Sequence, residues 1–356
     1  MKVILLAPTP PPAGGIAGWT VRMMNSALKN GWSVEVVDEK LGEGRELFGS
    51  KKKKSFFAEV KRCFRIWNDL KKKLNDDEAA VVHSCIPSYT LSMIREYVCA
   101  CITKRRKRKF ILHFRCTVPN SVKGRVSRFV FKRICNKSDR IFLLNQQSVD
   151  FTKKLTNTPI ELIPNFVDSS EIAESKEIKE KLTKAVYVGG VIETKGCANV
   201  IELAKAYPDI KFTFVGSPSA SIKALAEGVD NVELVGPKEK SEVKAILADS
   251  DVFVFLSYFL GEGFSNALAE AMAMGLPCLV TDWAANADMI ENKGGFVVPI
   301  KDTSAAIEAL KKMLPHEVRA SQSAFNLEKT VRVYSDKAVL SQYVDAYERT
   351  INVNIG

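Results

Sequence analysis

Short apolar runs alternate with longer, helix-like stretches along the whole chain. This alternation is typical of parallel sheets whose strands are joined by crossover helices. It predicts six strands in each half of the chain. The first six cover residues 2–8, 33–38, 79–84, 109–114, 140–145 and 160–164. The second six cover residues 184–189, 211–216, 232–235, 251–257, 278–282 and 295–299.

The two sets of strands divide the chain into two α/β domains. A polar segment at residues 168–176 separates the sets and is the predicted linker. We therefore assign residues 1–166 to an N-terminal domain and residues 167–334 to a C-terminal domain. A chain of 356 residues is long enough for two domains of ordinary size. The last stretch, about 335–352, has apolar residues at helical spacing and predicts a terminal helix.

Charge is distributed unevenly along the chain. Residues 1–165 carry a net charge of +18, whereas residues 166–356 carry −7. This asymmetry suggests that the two halves meet different partners. The apolar content of 46% is that of an ordinary folded protein.

No apolar run approaches the roughly 18 residues that a membrane-spanning helix needs. The apolar start at residues 3–7 is too short for the core of a signal peptide and predicts a first strand. A cytoplasmic location is therefore expected. The eight cysteines form no Cys-x-x-Cys pair, which favours inert thiols over a metal or redox site.

The segment from Glu262 to Glu270 carries two carboxylates eight residues apart. A predicted buried strand precedes it, and Gly275 with Pro277 ends the helix that follows. Glu262 is expected in a loop at the carboxyl end of a strand, where open α/β sheets bind ligands. Glu270 is expected inside the helix, about 80° away by helical spacing. The helix N-terminus between them offers N–H groups to an anion, so the segment suits a nucleotide sugar.

Two glycine-containing segments follow predicted strands. Gly189, Gly190 and Lys195 come after the seventh strand, and a lysine beside a glycine loop at a helix start suits a diphosphate. Gly14 and Gly15 come after the first strand and open the first helix. Alternatively, Lys195 is a solvated side chain and the glycines only form turns. Neither segment has the Gly-x-Gly-x-x-Gly spacing of a dinucleotide redox site.

Two pairs of polar residues give less specific signals. His83 and His113 each lie at the carboxyl end of a predicted strand, where a histidine can bind a sugar hydroxyl or transfer a proton. A buried, hydrogen-bonded structural histidine is the alternative for each. Asp249 and Asp251 form an Asp-x-Asp pair that could hold a metal–nucleotide. Their position between a helix end and a strand start favours a structural role instead.

Basic and apolar residues are interleaved in the first half of the chain. Residues 51–73 and 122–134 combine clusters of lysine and arginine with apolar side chains. Residues 104–109 are all basic and lead into a predicted strand. Such stretches resemble basic amphipathic helices that dock on anionic lipid. Alternatively, the apolar residues face the sheet and the charges are simply solvated. No nucleic-acid-binding motif accompanies the charge, so nucleic acid is not an expected partner.

Taken together, these residues resemble the family-4 glycosyltransferases of the GT-B fold. The Glu262–Pro277 segment is the most specific signal, and Pro164-Asn165-x-x-Asp168, Gly189…Lys195-Gly196 and Gly14-Gly15 occur in the expected order. The resemblance implies an α/β protein with two Rossmann-like domains facing a cleft. It also implies a C-terminal helix, within residues 335–356, that packs on the first domain. The first domain is expected to bind the acceptor, and the second the nucleotide-sugar donor.

The resemblance also implies roles for single residues. Glu270 is the expected ligand of the ribose hydroxyls, and Glu262 the catalytic carboxylate near the donor sugar. Lys195 is expected to bind the diphosphate, together with the backbone of Gly15. The implied reaction is retaining transfer without a metal or a cofactor, from a UDP-sugar rather than a GDP-sugar. The remaining donor-binding residues are expected to be Gly189, Gly190, Gly263, Phe264, Ser265 and Asn266.

Two positions depart from the family pattern. Gly190 stands where the family often has an arginine that binds phosphate. The segment His113-Phe114-Arg115 stands where the family commonly has His-x-His, so Arg115 occupies the usual position of the catalytic histidine. His113 and Arg115 are therefore both candidate catalytic residues, and Arg115 could offset charge on the donor diphosphate.

The expected protein is a retaining glycosyltransferase, peripheral to the inner face of the plasma membrane. It would act on a lipid-linked or cell-surface glycan precursor, such as a capsule or lipopolysaccharide repeat unit. Its expected partners are a nucleotide sugar, a glycan or glycolipid acceptor, and an anionic membrane surface. Two alternatives stay open: a sugar-nucleotide 2-epimerase on the same fold, and an inactive sugar-nucleotide-binding partner in a larger assembly.

Overall fold

The structure, a computed structural model, consists of two α/β units. The first unit comprises Met1–Asn165 with Val339–Gly356, and the second comprises Phe166–Ala338. We call them the N-terminal unit and the C-terminal unit. The lysine cluster at residues 51–54 lies outside the part of the chain that the structure describes. The described residues are 2–11, 14–29, 31–40, 56–75 and 81–352.

The N-terminal unit is a six-stranded parallel sheet with helices packed on it. Its strands are β1 (Lys2–Ala7), β2 (Ser33–Asp38), β3 (Val81–Ile86), β4 (Lys109–Phe114), β5 (Arg140–Leu143) and β6 (Ile160–Leu162). They lie in the order β2-β1-β3-β4-β5-β6. Its helices are α1 (Gly15–Lys29), α2 (Phe56–Asn75), α3 (Thr90–Arg105), α4 (Val118–Ser121), α5 (Arg125–Lys137) and α6 (Gln146–Lys153).

The C-terminal unit repeats this architecture with a different strand order. Its strands are β7 (Lys184–Val188), β8 (Lys211–Val215), β9 (Val232–Gly236), β10 (Val252–Phe255), β11 (Cys278–Thr281) and β12 (Gly295–Val298). They lie in the order β12-β11-β10-β7-β8-β9, which is the doubly wound order of the Rossmann fold. Its helices are α7 (Cys197–Ala206), α8 (Ala220–Ala226), α9 (Lys240–Asp249), α10 (Asn266–Ala273), α11 (Asn286–Ile290), α12 (Thr303–Lys312) and α13 (His316–Lys329).

All twelve predicted strands are present, and the prediction of two parallel α/β sheets is confirmed. Strands β3, β5, β10 and β11 are buried at every position, as expected for strands covered by helices on both faces. Strand β3 ends two residues later than predicted. The reason is that Cys85 and Ile86 continue to pair with β4, opposite His113 and Phe114.

The two sheets reverse their strand order at one point each. In the N-terminal unit the reversal lies between β1 and β3, and in the C-terminal unit between β7 and β10. The loops that leave two such strands diverge and open a crevice at the carboxyl edge of the sheet. Ligand-binding residues are therefore expected in the loops after β7 and β10.

The terminal helix α14 (Asp336–Asn352) begins in the C-terminal unit and joins the N-terminal unit from Val339 onward. Tyr343 and Tyr347 are fully buried, and their rings contact those of His83 and Phe142. The predicted return of the last helix to the first domain is thus confirmed. Among the described residues, no helix is long and apolar enough to cross a membrane.

Candidate active site

The loop after β7 carries Lys195 and is shaped by glycines. Gly189 has φ 144° and Gly196 has φ 79°, values that favour glycine. The backbone at Gly196 runs so close to Leu256, which follows β10, that a Cβ atom would overlap the Leu256 carbonyl oxygen. The backbone N–H of Tyr258 also donates to the Thr194 carbonyl oxygen at 2.9 Å. Lys195 is therefore held beside the loop that follows β10.

Lys195 and Glu262 form an ion pair through Nζ and Oε2. The ammonium group also lies 4.9 Å from the ring centroid of Phe259 and 5.4 Å from that of Phe255, within reach of a cation–π attraction. The Glu262 residue is only 8% exposed, and its backbone N–H donates to the Phe259 carbonyl oxygen at 3.0 Å. The sequence placed these two side chains in one site, and the structure brings them into direct contact at the strand-order reversal.

The loop from residue 256 to 265 is fixed on its other side by the last residue of β11 and by the segment that follows it. The Thr281 hydroxyl donates to the Ser257 carbonyl oxygen at 2.5 Å. The Trp283 indole N–H donates to the Phe259 carbonyl oxygen at 2.8 Å. Because the neighbouring strands anchor this loop, Glu262 is held in place by a rigid frame.

Helix α10 begins at the residue after Ser265. The Ser265 hydroxyl accepts from the Leu268 N–H as the N-cap, and Gly275, with φ 71°, follows the last turn. Glu270 is half-buried inside this helix, one turn after Asn266. Glu262 precedes the helix by four residues, so the angle of about 80° expected from helical spacing does not apply to the two carboxylates. That estimate was wrong because the helix begins later than Glu262.

The remaining predicted donor residues divide between the two units. Gly263 and Phe264 are buried beside Glu262, and the Phe264 ring packs edge-on against that of Tyr334 at 5.4 Å. Phe264 therefore anchors the loop to the π-helical turn Thr330–Tyr334. Gly190 accepts a hydrogen bond from the Tyr187 hydroxyl at its carbonyl oxygen, at 2.8 Å. Gly15, the first residue of α1, belongs to the N-terminal unit.

His113 and His83 lie side by side on β4 and β3 with no exposed surface. His83 Nε2 is 3.1 Å from His113 Nδ1, and His83 Nδ1 is 2.6 Å from the Tyr347 hydroxyl. Burial, followed by the charge of Arg115, lowers the pKa of His83 to about 3 and holds the pKa of His113 well below its usual range. His113 as a catalytic residue stays a prediction, and the structure places it in the core as a neutral, hydrogen-bonded side chain.

Arg115 follows β4 directly and is 8% exposed. Its Nη1 is 3.2 Å from His113 Nε2, and its Nη2 donates to Asn165 Oδ1 at 2.5 Å. The guanidinium carbon lies 4.4 Å from the ring centroid of Trp19. Asn165, which belongs to the Pro164-Asn165-x-x-Asp168 motif of the family resemblance, thus orients Arg115. Trp19 gave no signal in the sequence, because its stacking depends on how α1 packs against the sheet.

The residues of two candidate metal sites already form hydrogen bonds or ion pairs with other protein groups. Asp251 accepts from the backbone N–H groups of Thr183 and Lys184 at 2.8 Å, and Asp249 pairs with Lys184 at 2.5 Å. The ligand atoms of His83, Cys85 and His113 lie within 4.8 Å of one another. A metal there would compete with the hydrogen bonds of both imidazoles and face the positive charge of Arg115. Burial also raises the pKa of the Cys85 thiol to about 12, which disfavours the thiolate ligand.

The fold is that of a two-domain α/β protein of the GT-B type. The chain matches the solved structure of sucrose-phosphate synthase from Thermosynechococcus elongatus with a TM-score of 0.79 at 15% identity, over 98% of each chain. Residues 168–329 match the family model described as "Glycosyl transferases group 1". The matched residues lie within the C-terminal unit and cover nearly all of it.

Curated relatives extend this match. The chain is 24% identical to the putative teichuronic acid biosynthesis glycosyltransferase TuaC of Bacillus subtilis, over 60% of this chain and 58% of the relative. It is 29% identical to the UDP-Gal:alpha-D-GlcNAc-diphosphoundecaprenol alpha-1,3-galactosyltransferase of Escherichia coli, over 50% of this chain and 51% of the relative. The chain thus spans about half the length of these curated relatives.

Proposed function

We propose that the protein is a retaining glycosyltransferase that moves a sugar from a nucleotide sugar to a lipid-linked or cell-surface glycan precursor. The observation that carries the proposal is the Lys195–Glu262 pair at the strand-order reversal of a glycosyltransferase group 1 domain. A cation, a carboxylate and a helix N-terminus meet there, and a nucleoside diphosphate sugar presents groups complementary to each.

The donor is proposed to lie along the loops after β7 and β10. Glu270 accepts hydrogen bonds from the ribose hydroxyls, and Lys195 binds the diphosphate. Glu262 lies near the donor sugar and shares Lys195 with the phosphate oxygens. Backbone N–H groups of Gly263, Ser265 and Asn266, at the N-terminal end of α10, face the negative charge.

The proposed chemistry needs stabilisation of the departing nucleoside diphosphate more than it needs a general base. Lys195 and the positive end of α10 supply that stabilisation, since both are held in place before the reaction begins. We therefore propose transfer by front-face attack, assisted by the leaving phosphate and without a metal. A UDP-sugar is the favoured donor, in keeping with the UDP-Gal in the name of one relative.

The acceptor is proposed to be held at a membrane surface by the N-terminal unit. Helix α5 carries five basic residues and no acidic residue, and Val126 and Phe129 on it are 70% and 65% exposed. Its other face packs inward through Phe131 and Ile134. The sequence left open whether the apolar residues of the basic stretches face the sheet or a membrane. In α5 some of them face the core and others face solvent. An exposed apolar face among cations fits anionic lipid at the inner face of the plasma membrane.

Ligand-induced stabilisation tests the donor site first. We expect UDP to raise the unfolding temperature without added metal, and Glu270→Ala to abolish that shift. Glu202→Ala, on exposed residue Glu202 of α7, is the matched control and should keep the shift. No shift with UDP, GDP, ADP, TDP or CMP would contradict the proposal.

A product assay then separates transfer from epimerisation. With a UDP-sugar and a lipid-linked acceptor, the transferase forms a glycolipid, and Glu262→Gln should lower its turnover by at least roughly 100-fold. The same variant should still bind UDP, since Lys195 and Glu270 remain. An epimerised sugar nucleotide formed with no acceptor would instead identify an epimerase.

A further inference from the structure

We propose that Arg115 is a preformed binding group for a phosphoryl oxygen anion, and that His113, His83 and Tyr347 are positioning residues that hold it. The inference rests on the proposed function and adds a second anionic contact, in the N-terminal unit. Arg115 lies at the carboxyl edge of the sheet, directly after β4, where ligands of α/β sheets bind.

Arg115 is a buried cation whose direct contacts are with neutral groups. Its hydrogen-bond partners are an imidazole and an amide, and its guanidinium lies over an indole ring. Among the described residues no carboxylate forms an ion pair with it, and its Nε has no hydrogen-bond partner. Burial and the neighbouring charge of Arg22 both lower the pKa of Arg115. A buried charge without a counter-charge is costly, so this site favours an incoming anion.

The other buried arginines of the N-terminal unit show what compensation looks like. Arg95 pairs with Glu39 and Glu96, both at 2.6 Å. Arg140 pairs with Glu161 at 2.6 Å and is 7% exposed, much like Arg115. Arg115 differs from both in having only neutral partners, and it stands at the edge of the sheet where a substrate can supply the negative charge.

Several hydrogen-bond donors lie around this residue. The indole N–H of Trp19 and the hydroxyl of Tyr343 are buried beside Arg115, and hydrogen bonding of Arg115 and Trp19 to the Tyr343 hydroxyl opposes the rise in the tyrosine pKa that burial causes. Arg115 Nε is buried without a hydrogen-bond partner of its own. Both side chains are neighbours of Arg115. The Trp19 ring lies under the Arg115 guanidinium, and the charge of Arg115 acts on the Tyr343 hydroxyl. A region rich in donors and poor in acceptors suits an oxyanion better than a neutral hydroxyl.

The hydrogen bonds behind Arg115 have one consistent direction. A guanidinium only donates, so His113 Nε2 must accept and His113 must carry its proton on Nδ1. That proton is donated to His83 Nε2, and the Nδ1–H of His83 is donated to the Tyr347 hydroxyl oxygen. The depressed pKa values keep both imidazoles neutral, as this order requires. The chain fixes the guanidinium without adding a negative charge that would compete with a ligand.

The phosphoryl group has two sources in the proposed reaction: the donor diphosphate and the diphosphate of a lipid-linked acceptor. Calorimetric titration with UDP, uridine and farnesyl diphosphate distinguishes them. We expect Arg115→Gln to lower the affinity for one of the two diphosphates by roughly ten- to hundredfold, because a charged hydrogen bond is lost. A loss for UDP identifies the donor, and a loss for farnesyl diphosphate identifies the acceptor.

Two variants keep this test decisive. Arg140→Gln is the matched control, because it removes an equally buried arginine that already has a carboxylate partner, and it should leave both affinities unchanged. Arg115→Lys keeps the charge and should retain part of the affinity, which also covers the case in which Arg115→Gln unfolds. Equal binding of both diphosphates by wild type, Arg115→Gln and Arg115→Lys would overturn the inference.

Failure of the proposed function looks different. In that case UDP would not bind to wild type, or its binding would not change in Glu270→Ala. The affinity for farnesyl diphosphate would still test whether Arg115 binds a diphosphate. The positioning chain has its own readout in nitrogen-15 NMR of labelled histidine. We expect His83 and His113 to be protonated at Nδ1 only; an imidazolium or an Nε2-protonated ring at either position would contradict the chain.

Discussion

At the scale of single residues, Gly190 is where the loop after β7, the proposed donor loop, departs from the pattern of the family that the sequence resembles. Its neighbour Gly189 has φ 144° and tolerates a side chain poorly. Gly190 has no such backbone constraint, and a Cβ atom built on it meets no atom within 4 Å. The position therefore has room for the arginine that the family often has there.

We predict that Gly190→Arg binds UDP roughly tenfold more tightly than wild type, because it adds a cation beside Lys195, the proposed ligand of the diphosphate. Titration calorimetry measures the change. Gly190→Gln is the matched control, since it adds similar reach without charge and should gain little. An unchanged affinity in the arginine variant would show that the diphosphate does not pass this residue.

Other residue-level expectations had mixed outcomes. The sequence assigns Lys195 and Glu262 to one predicted site. Their ion pair joins residues 67 positions apart, and it forms because β7 and β10 are adjacent in the sheet. The position of Phe264 against Tyr334 depends in the same way on tertiary packing. The catalytic roles of Glu262, His113 and Arg115 stay predictions.

At the scale of elements, α5 combines a core-facing side with an exposed apolar one. Val126 and Phe129 lie three residues apart, near the start of the helix, and Arg133 reaches to 5.8 Å from the Phe129 ring. Helical periodicity alone predicts one apolar face that packs on the sheet. The second apolar patch shows only when burial is known, because the sequence does not say which turns the neighbouring helices cover.

We predict that the double variant Val126→Ser/Phe129→Ser loses most of its binding to vesicles that contain anionic phospholipid. The apolar side chains supply the insertion that the cations alone do not. Co-sedimentation with phosphatidylglycerol-containing vesicles measures the loss. Leu225→Ser, at a 43% exposed leucine of the C-terminal unit, is the matched control and should bind like wild type. Unaltered binding of the double variant would place the lipid contact elsewhere, and preferential binding of wild type to RNA would oppose the membrane proposal.

At the scale of the whole molecule, stability should depend on two buried histidines. His83 contacts His113, Cys85, Tyr343 and Tyr347 and lies within the electrostatic influence of Arg115. None of these side chains is a carboxylate that could stabilise an imidazolium. The pKa of His83 is about 3 in the folded protein and about 6.5 when unfolded. Between these values the unfolded chain binds a proton that the folded chain does not, so acid favours unfolding.

We predict that lowering the pH from 7.5 to 5 removes about 2 kcal/mol of unfolding free energy through His83, with a further loss through His113. Urea unfolding followed by tryptophan fluorescence measures it, since three of the four tryptophans lie in the N-terminal unit. In His83→Gln this part of the pH dependence should disappear. His316→Gln, on half-buried residue His316 of α13, is the control, and an equal pH dependence in wild type and His83→Gln would contradict the prediction.

The sequence by itself determined the twelve strands, the two parallel sheets, the loops that carry Lys195 and Glu262, and the helix that carries Glu270. These features arise from short-range causes, namely apolar periodicity, caps and glycine turns, all of which are written in neighbouring residues. Only the tertiary structure decided that Lys195 contacts Glu262, and that Tyr347 connects through two histidines to Arg115. Those contacts join residues up to 264 positions apart, and they depend on strand order and on the return of α14, which local sequence does not encode.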